Sequence, residues 1–195
     1  MIKVGITGGI GSGKTTVCKV FQILGAPIYF ADIRAKVILD TNEEVKLKII
    51  NCFGNELLSD SGFVDRIKLA AFVFNSKEKL EKLNAILHPL VQIDFENWLK
   101  QHATYNYILK EAAILFESGS FKNLDSIITV IAPLDLRISR VMFRDDISKS
   151  QIESRIDKQI SDEEKIKRSQ FVIYNNEEEF LIPQILKIHK QLLNI

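Results

Sequence analysis

Apolar residues fall along this chain in two alternating rhythms. Short runs rich in Ile, Val, Phe and Tyr recur at Lys3–Thr7, Pro27–Phe30, Tyr107–Lys110, Ile127–Ala132 and Phe171–Tyr174. Runs this brief and this apolar predict buried parallel strands. Between them the apolar positions shift to helical spacing, as at Val17, Val20, Phe21 and Leu24, or at Leu181, Ile185, Ile188 and Leu192. Thr41-Asn42-Glu43-Glu44 and Ser161-Asp162-Glu163-Glu164 read as capping boxes that start helices. Asn176 with Glu177, Glu178 and Glu179 reads as the cap and first turn of the last helix. Strand–helix alternation predicts the α/β class, a parallel sheet covered on both faces, with ligands bound beyond the carboxyl ends of the strands.

One stretch breaks the rhythm. Between about residues 35 and 103 only helical patterns occur, among them Leu80, Leu83, Ile86 and Leu87, then Val91, Phe95, Trp98 and Leu99. An all-helical insertion between the second and third strands suits a wall for a second substrate. Phe95 and Trp98 read as core. No repeat, low-complexity tract or interdomain linker interrupts the chain, and nine Gly with four Pro are too few to form such a linker.

The first strand leads into Gly8-Gly9-Ile10-Gly11-Ser12-Gly13-Lys14-Thr15, a complete G-x-x-x-x-G-K-T loop followed by a helical pattern. Backbone amides from Gly9 through Thr16 can point at a triphosphate, helped by the positive end of the helix dipole. Lys14 is expected to reach the β- and γ-phosphates, and the Thr15 hydroxyl to ligate Mg²⁺. A chance glycine turn would not place every fixed residue between the right two elements.

Composition alters the picture little. With 195 residues, 46% hydrophobic and 26% charged, the chain suits one α/β domain carrying insertions. A net charge of +1 argues against a broad nucleic-acid footprint. Cys18 and Cys52 lack metal-ligand spacing and read as reduced, packed thiols. The first strand begins too early for a signal peptide and no apolar run nears ~20 residues, so a cytoplasmic protein is expected, without membrane or nucleic-acid partners.

Neither the Asn-Lys-x-Asp motif nor the Asp-x-x-Gly switch of a GTPase is present. Small-molecule kinases fit better. Asp32, at the end of the second strand, is placed to orient or deprotonate an acceptor hydroxyl, or simply to cap a helix. After the fourth strand come Arg137, Arg140, Arg144, Lys149, Arg155 and Lys158, interspersed with Asp145, Asp146, Glu153 and Asp157. Arg137, Arg140 and Arg144 share a helix face, as guanidinium groups closing over phosphate from a lid would, or as a solvated face would.

These residues together resemble the dephospho-coenzyme A kinase family over essentially the whole chain. The resemblance rests on Gly5 through Thr15, Ala31-Asp32, Leu83 through Val91 with its Leu-His-Pro core, Ile114 through Glu117, Arg140 through Asp145, Arg155-Ile156 with Gln159, and Val172-Ile173 with Asn175. It implies a three-layer P-loop fold with a five-stranded parallel sheet in order 2-3-1-4-5. The core would span about 1–34, 104–136 and 168–195, the helical acceptor-binding insertion about 35–103, and the lid about 137–167. The implied reaction is ATP-dependent phosphorylation of the ribose 3′-hydroxyl of dephospho-CoA, the last step of coenzyme A synthesis. Asp32 then matches the catalytic carboxylate, and Arg140 and Arg144 match lid residues near the ATP phosphates; Asn84 and His88 fall in the acceptor domain.

Some positions depart from the family pattern. Phe30 stands where a first Asp is common, Arg137 where Gln is frequent, and Ser169-Gln170 where Ala-Asp is frequent near the base. Glu111 replaces an Asp near Mg²⁺, and its extra methylene favours contact through water over direct ligation. Direct transfer without a phospho-enzyme is expected, from a monomer or weak homo-oligomer. A kinase of another small hydroxyl compound and a nucleotide switch are the competing readings; the Leu-His-Pro motif opposes the first, and the basic lid and insertion oppose the second.

Overall fold

The computed structural model describes residues 1–74 and 76–194, so Asn75, inside the expected insertion, and Ile195, at the end of the expected core, lie outside the described residues. Five strands form one parallel sheet: β1 (Ile2–Gly8), β2 (Ile28–Phe30), β3 (Tyr107–Glu111), β4 (Ser126–Ile131) and β5 (Phe171–Tyr174). Their order is β2-β3-β1-β4-β5, as the family resemblance implied. Each predicted strand is present, with no end moved by more than one residue. Helices α1 (Lys14–Ile23), α2 (Ala31–Thr41), α3 (Glu43–Phe53), α4 (Arg66–Phe74), α5 (Lys77–Gln101), α6 (Leu134–Asp145), α7 (Lys149–Ile156), α8 (Asp162–Lys167) and α9 (Leu181–Leu193) complete the described chain, with short 3₁₀ turns at Asn55–Leu57 and Ser120–Asn123.

The chain divides into two compact units, residues 1–30 with 102–195, and 31–101. In the first, Val4 and Ile6 of β1, Leu109 of β3, Ile128 and Val130 of β4 and Ile173 of β5 pack on Val17, Cys18 and Phe21 of α1 and Ile185, Ile188 and Leu192 of α9. Alternation along β1 turns Gly5 to the other face, against Leu115 and Leu124. Strand β1 lies between β3 and β4, so the chain order reverses around it; in open parallel sheets that is where a ligand crevice forms.

The second unit is helical. Ile38 and Leu39 of α2, Val45, Ile49 and Phe53 of α3, and Leu69 and Val73 of α4 form its buried core. The expected stripe of α5, from Leu80 through Leu87 to Val91, packs against that core. Phe95 is fully buried, in keeping with its reading as core, and the half-buried Trp98 stacks on it, ring centroids 6.3 Å apart. Helix α5 continues through Pro89 although proline has no N–H for the carbonyl one turn earlier, so packing along the stripe outweighs a lost backbone bond.

Four details differ from the sequence reading. The cap of α3 is Asn42, whose side chain accepts from Val45 N; Thr41 closes α2 and its hydroxyl donates to the Val37 carbonyl. The last helix begins at Leu181 rather than beside Asn176, whose Oδ1 instead accepts from Glu178 N and Glu179 N in a loop. Pro183 explains the shift: in the first turn of α9 its missing N–H costs nothing, whereas a start near Glu177 would put it in the interior. Cys52 is exposed on α3, not packed, while Cys18 is buried; both are free. Ser161 caps α8 by accepting from Glu164 N, but the Glu164 carboxylate binds Arg168, leaving the expected box half made. A full capping box, Ser148 with Gln151, starts α7.

Candidate active site

The glycine-rich loop leaves β1 at Gly8 and enters α1 at Lys14. Gly13 is the helix N-cap at φ 94°, a left-handed conformation, and a Cβ there would collide with the Asn175 amide nitrogen. No side chain caps α1, so the positive pole of the helix is left for an anion to meet. Thr15 and Thr16 are exposed in this first turn. Lys14 is 9% exposed, and its Nζ donates to the carbonyls of Gly8 at 2.8 Å and Gly9 at 3.3 Å. The ammonium thus lies folded against the loop it belongs to. Ser12 Oγ and Thr7 Oγ1 are buried beside the loop without a hydrogen-bond partner.

Long-range contacts hold the loop from several sides. Arg137 is buried on α6; its Nε donates to the Ile10 carbonyl at 3.0 Å and its Nη1 to Asp162 Oδ2 at 2.7 Å. The same guanidinium fills the space a Cβ at Gly9 would need. Gln159 accepts from Ile10 N at 3.0 Å and donates to the Ala113 carbonyl at 3.2 Å. Asn175, just past β5, donates from Nδ2 to the Ser12 carbonyl at 2.9 Å, and its own carbonyl accepts from Arg140 at 3.2 Å. Arg140 also pairs with Glu177 at 3.0 Å.

This arrangement corrects the expectation of three arginines sharing one phosphate-facing surface. Arg137 is structural, paired and buried under the loop. Arg140 is one link further out, and only Arg144, with a side chain 61% exposed, is turned outward. Arg144 now pairs with its neighbour Asp145 at 2.6 Å, which raises the guanidinium's proton affinity and lowers that of the carboxyl.

Glu111 ends β3, in register with Ile6 of β1 and Phe30 of β2, and is largely buried. Its charge and that of Lys14 both reach Cys18. Burial chiefly, with Glu111 adding and Lys14 opposing, pushes the Cys18 thiol far up, so it is a packing group and not a nucleophile. Ser169 and Gln170, expected near a base, serve the sheet: Thr129 Oγ1 and Ser169 Oγ lie 2.6 Å apart, and Gln170 Oε1 accepts from Ile127 N at 2.8 Å.

Asp32, Asn84 and His88 belong to the second unit. Asp32 is exposed in the first turn of α2, two residues past the end of β2. Asn84 and His88 are half-buried on one face of α5, a turn apart. In the same unit, Arg34 and Asp94 form a bidentate ion pair, with Nε to Oδ2 at 2.8 Å.

The first unit therefore gathers Gly9 through Thr16, Glu111 and Arg140 around the end of β1, with Arg144 at the outer end of α6. Sequence reasoning missed the struts Arg137, Asp162 and Asn175. Their signals were chemical type alone, because the partners lie far away along the chain.

Comparison with known proteins agrees with this geometry. A family model described as dephospho-CoA kinase matches residues 2–180. A dephospho-CoA kinase of Bacteroides fragilis is 41% identical over 187 residues, covering 96% of this chain and 91% of its own length. One from Fusobacterium nucleatum is 44% identical over 173 residues, covering 89% of each. The solved dephospho-CoA kinase from Campylobacter jejuni superposes with a TM-score of 0.72 at 30% identity, covering 98% of this chain and 97% of that one. With a family model over most of its length and relatives above two-fifths identity across nearly all of it, the chain belongs to the dephospho-CoA kinase family.

Proposed function

We propose that this chain transfers the γ-phosphoryl group of ATP to the ribose 3′-hydroxyl of dephospho-CoA, giving coenzyme A and ADP. ATP-dependent phosphorylation of dephospho-CoA, within coenzyme A biosynthesis, is the activity of the family to which it belongs. The observation that carries the reading is the complete phosphate loop, Gly8 to Thr15, built between β1 and an uncapped α1.

The loop amides and the helix end hold the β- and γ-phosphates, and Lys14 swings its ammonium from the Gly8 and Gly9 carbonyls onto them. Asp32 orients the 3′-hydroxyl and accepts its proton as the oxygen attacks phosphorus; the bond to the bridging oxygen of ADP breaks as the new one forms. Arg140 and Arg144 neutralise charge on the transferring group from the lid, residues 137–167, while the helical insertion carries the acceptor near Asn84 and His88. The reaction runs in the cytoplasm, on a monomer or weak homo-oligomer. No described helix is long and apolar enough to cross a membrane.

Mg²⁺ fits the residues present. Among the described residues no group of three or more His, Cys, Asp or Glu side chains could cage a metal. That suits an ion held by substrate phosphates, waters and one or two protein oxygens. The Thr15 hydroxyl would hold it, with Glu111 through water. When bound, it supplies positive charge to the phosphate oxygens.

A coupled ADP-release assay with Mg-ATP tests the reading, offering dephospho-CoA, adenosine, thymidine and shikimate, with the product weighed for one added phosphoryl group. Turnover with dephospho-CoA alone, yielding coenzyme A, is expected. Activity only with another acceptor would overturn the substrate, and slow hydrolysis with none would overturn the kinase.

A further inference from the structure

Ile10 sits near the tip of the phosphate loop, and three separate parts of it are gripped. Its N–H donates to Gln159 Oε1 and its carbonyl accepts from Arg137 Nε, each at 3.0 Å. Its side chain packs on Ile138, Val141 and Ile152, with Ile147 and Ile156 alongside. Arg137 lies on α6 and Gln159 three residues past α7, so the two polar holds bracket in sequence the stretch that supplies the apolar one. Each hold is itself anchored. Arg137 is paired with Asp162 of α8, and Gln159 donates onward to the Ala113 carbonyl beyond β3.

Such a grip has a physical purpose in this loop. Gly9, Gly11 and Gly13 alternate with Ile10 and Ser12, and glycine loses more conformational entropy on ordering than any other residue. A loop left free would pay that entropy each time a triphosphate bound; one already pinned at Ile10 does not. Packing Ile10 into the α6–α7 cluster also means that a triphosphate drawing on the loop draws on α7, and the coupling holds in both directions.

We propose that Gln159 is a positioning residue for the phosphate loop: with Arg137, and acting through Ile10, it shapes the loop for the triphosphate and ties that shape to α7. Gln159 need touch no reacting atom. The proposal rests on the reading of the loop as a triphosphate site, and not on which acceptor the enzyme uses.

Steady-state kinetics on the full chain test it. Gln159→Leu leaves the Ile10 N–H without its acceptor and is expected to raise the KM for ATP about tenfold while the KM for dephospho-CoA stays put. Gln159→Glu restores an acceptor for that N–H and should recover most of the loss. A residue serving stability alone would lower the melting temperature of both variants and move neither KM, an outcome that would overturn the proposal. Should Gln159→Leu fail to fold, Ile10→Ala decides, read by amide hydrogen exchange. A non-hydrolysable ATP analogue with Mg²⁺ should slow exchange in residues 149–156 of the wild type and leave it unchanged in Ile10→Ala. Equal slowing in both would mean that α7 responds to nucleotide without Ile10, and the proposal would fall. Were the wild type to use no dephospho-CoA, the acceptor reading would fail, yet the exchange experiment would still decide the coupling.

Discussion

The two compact units of this chain bury different chemistry. In the first, Thr7, Ser12, Lys14, Lys110, Glu111, Ser126, Thr129, Arg137 and Lys165 are all buried among apolar residues. In the second, every described residue that is fully buried is apolar. Buried polar groups are expensive unless each finds a partner, so a unit that buries Ser12, Lys14 and Arg137 in or against one loop is maintaining a prearranged electrostatic site. The helical unit keeps its polar candidates at or near the surface: Asp32 exposed, Asn84 and His88 half-buried. The proposed phosphoryl transfer would use this division. A triphosphate must be held the same way in every turnover, whereas the acceptor hydroxyl must come and go.

The largest test of the comparison is Asp32→Asn, which changes an exposed residue of the second unit. Its kcat should fall by roughly 10²–10⁴ while ATP affinity and folding stability stay near wild type. Near-normal turnover would reduce Asp32 to a favourable charge in the first turn of α2. Lys14→Ala addresses the buried side of the division. Removing a charge proposed to move onto the phosphates should cost on the order of 10²–10³ in kcat/KM. Its loss should also be felt in ATP binding, measured by calorimetry, since the same group meets ground-state phosphate. An unchanged kcat/KM would mean that the ammonium never leaves the Gly8 and Gly9 carbonyls.

The same division decides how much was legible in the sequence. The phosphate loop is eight consecutive residues between a strand and a helix, so local pattern alone located it, and the parallel sheet followed from the alternation of short apolar runs. The struts were a different matter. Arg137 to Ile10, Gln159 to Ile10 and Asn175 to Ser12 span 127, 149 and 163 residues, and only strand order and register bring them together. Arg137 was accordingly read as a lid cation, because helical spacing shows which residues share a face but not what the face meets. The start of α9 failed for another reason. Asn176 and three glutamates have the composition of a helix start, yet Glu177 adopts φ 69° and pairs with Arg140, and Pro183 fixes the first turn further on. Composition proposed a cap that tertiary contacts diverted into a loop.

Arg144→Ala sharpens the comparison at the outer end of α6. Arg144 is bound to Asp145 in an exposed pair, the kind worth about 0–1 kcal/mol, so leaving it for phosphate costs little. A charge-assisted hydrogen bond to the transferring group is worth more, about 1.5–3 kcal/mol, which favours the move once ATP is bound. The variant should therefore lose roughly tenfold to a hundredfold in kcat, with a smaller rise in the KM for dephospho-CoA. The opposite pattern, KM rising and kcat preserved, would assign Arg144 to the acceptor.

The smallest effect expected comes from Asn42→Ala, and it asks whether the two units are as separate in energy as they are in chemistry. Asn42 is the only residue between α2 and α3, and its side chain accepts from Val45 N at 3.1 Å, satisfying one of the amides that open α3. Truncation should cost about 1 kcal/mol of stability, read from the midpoint of denaturant unfolding, and Asn42→Asp should restore most of it. Because the cap belongs to the helical unit, and the loop and its struts to the other, ATP affinity should be untouched. If the variant weakened ATP binding as well as α3, the apolar helical core and the polar phosphate site would share one cooperative unit. The division by burial would then describe where groups lie without describing how the protein comes apart.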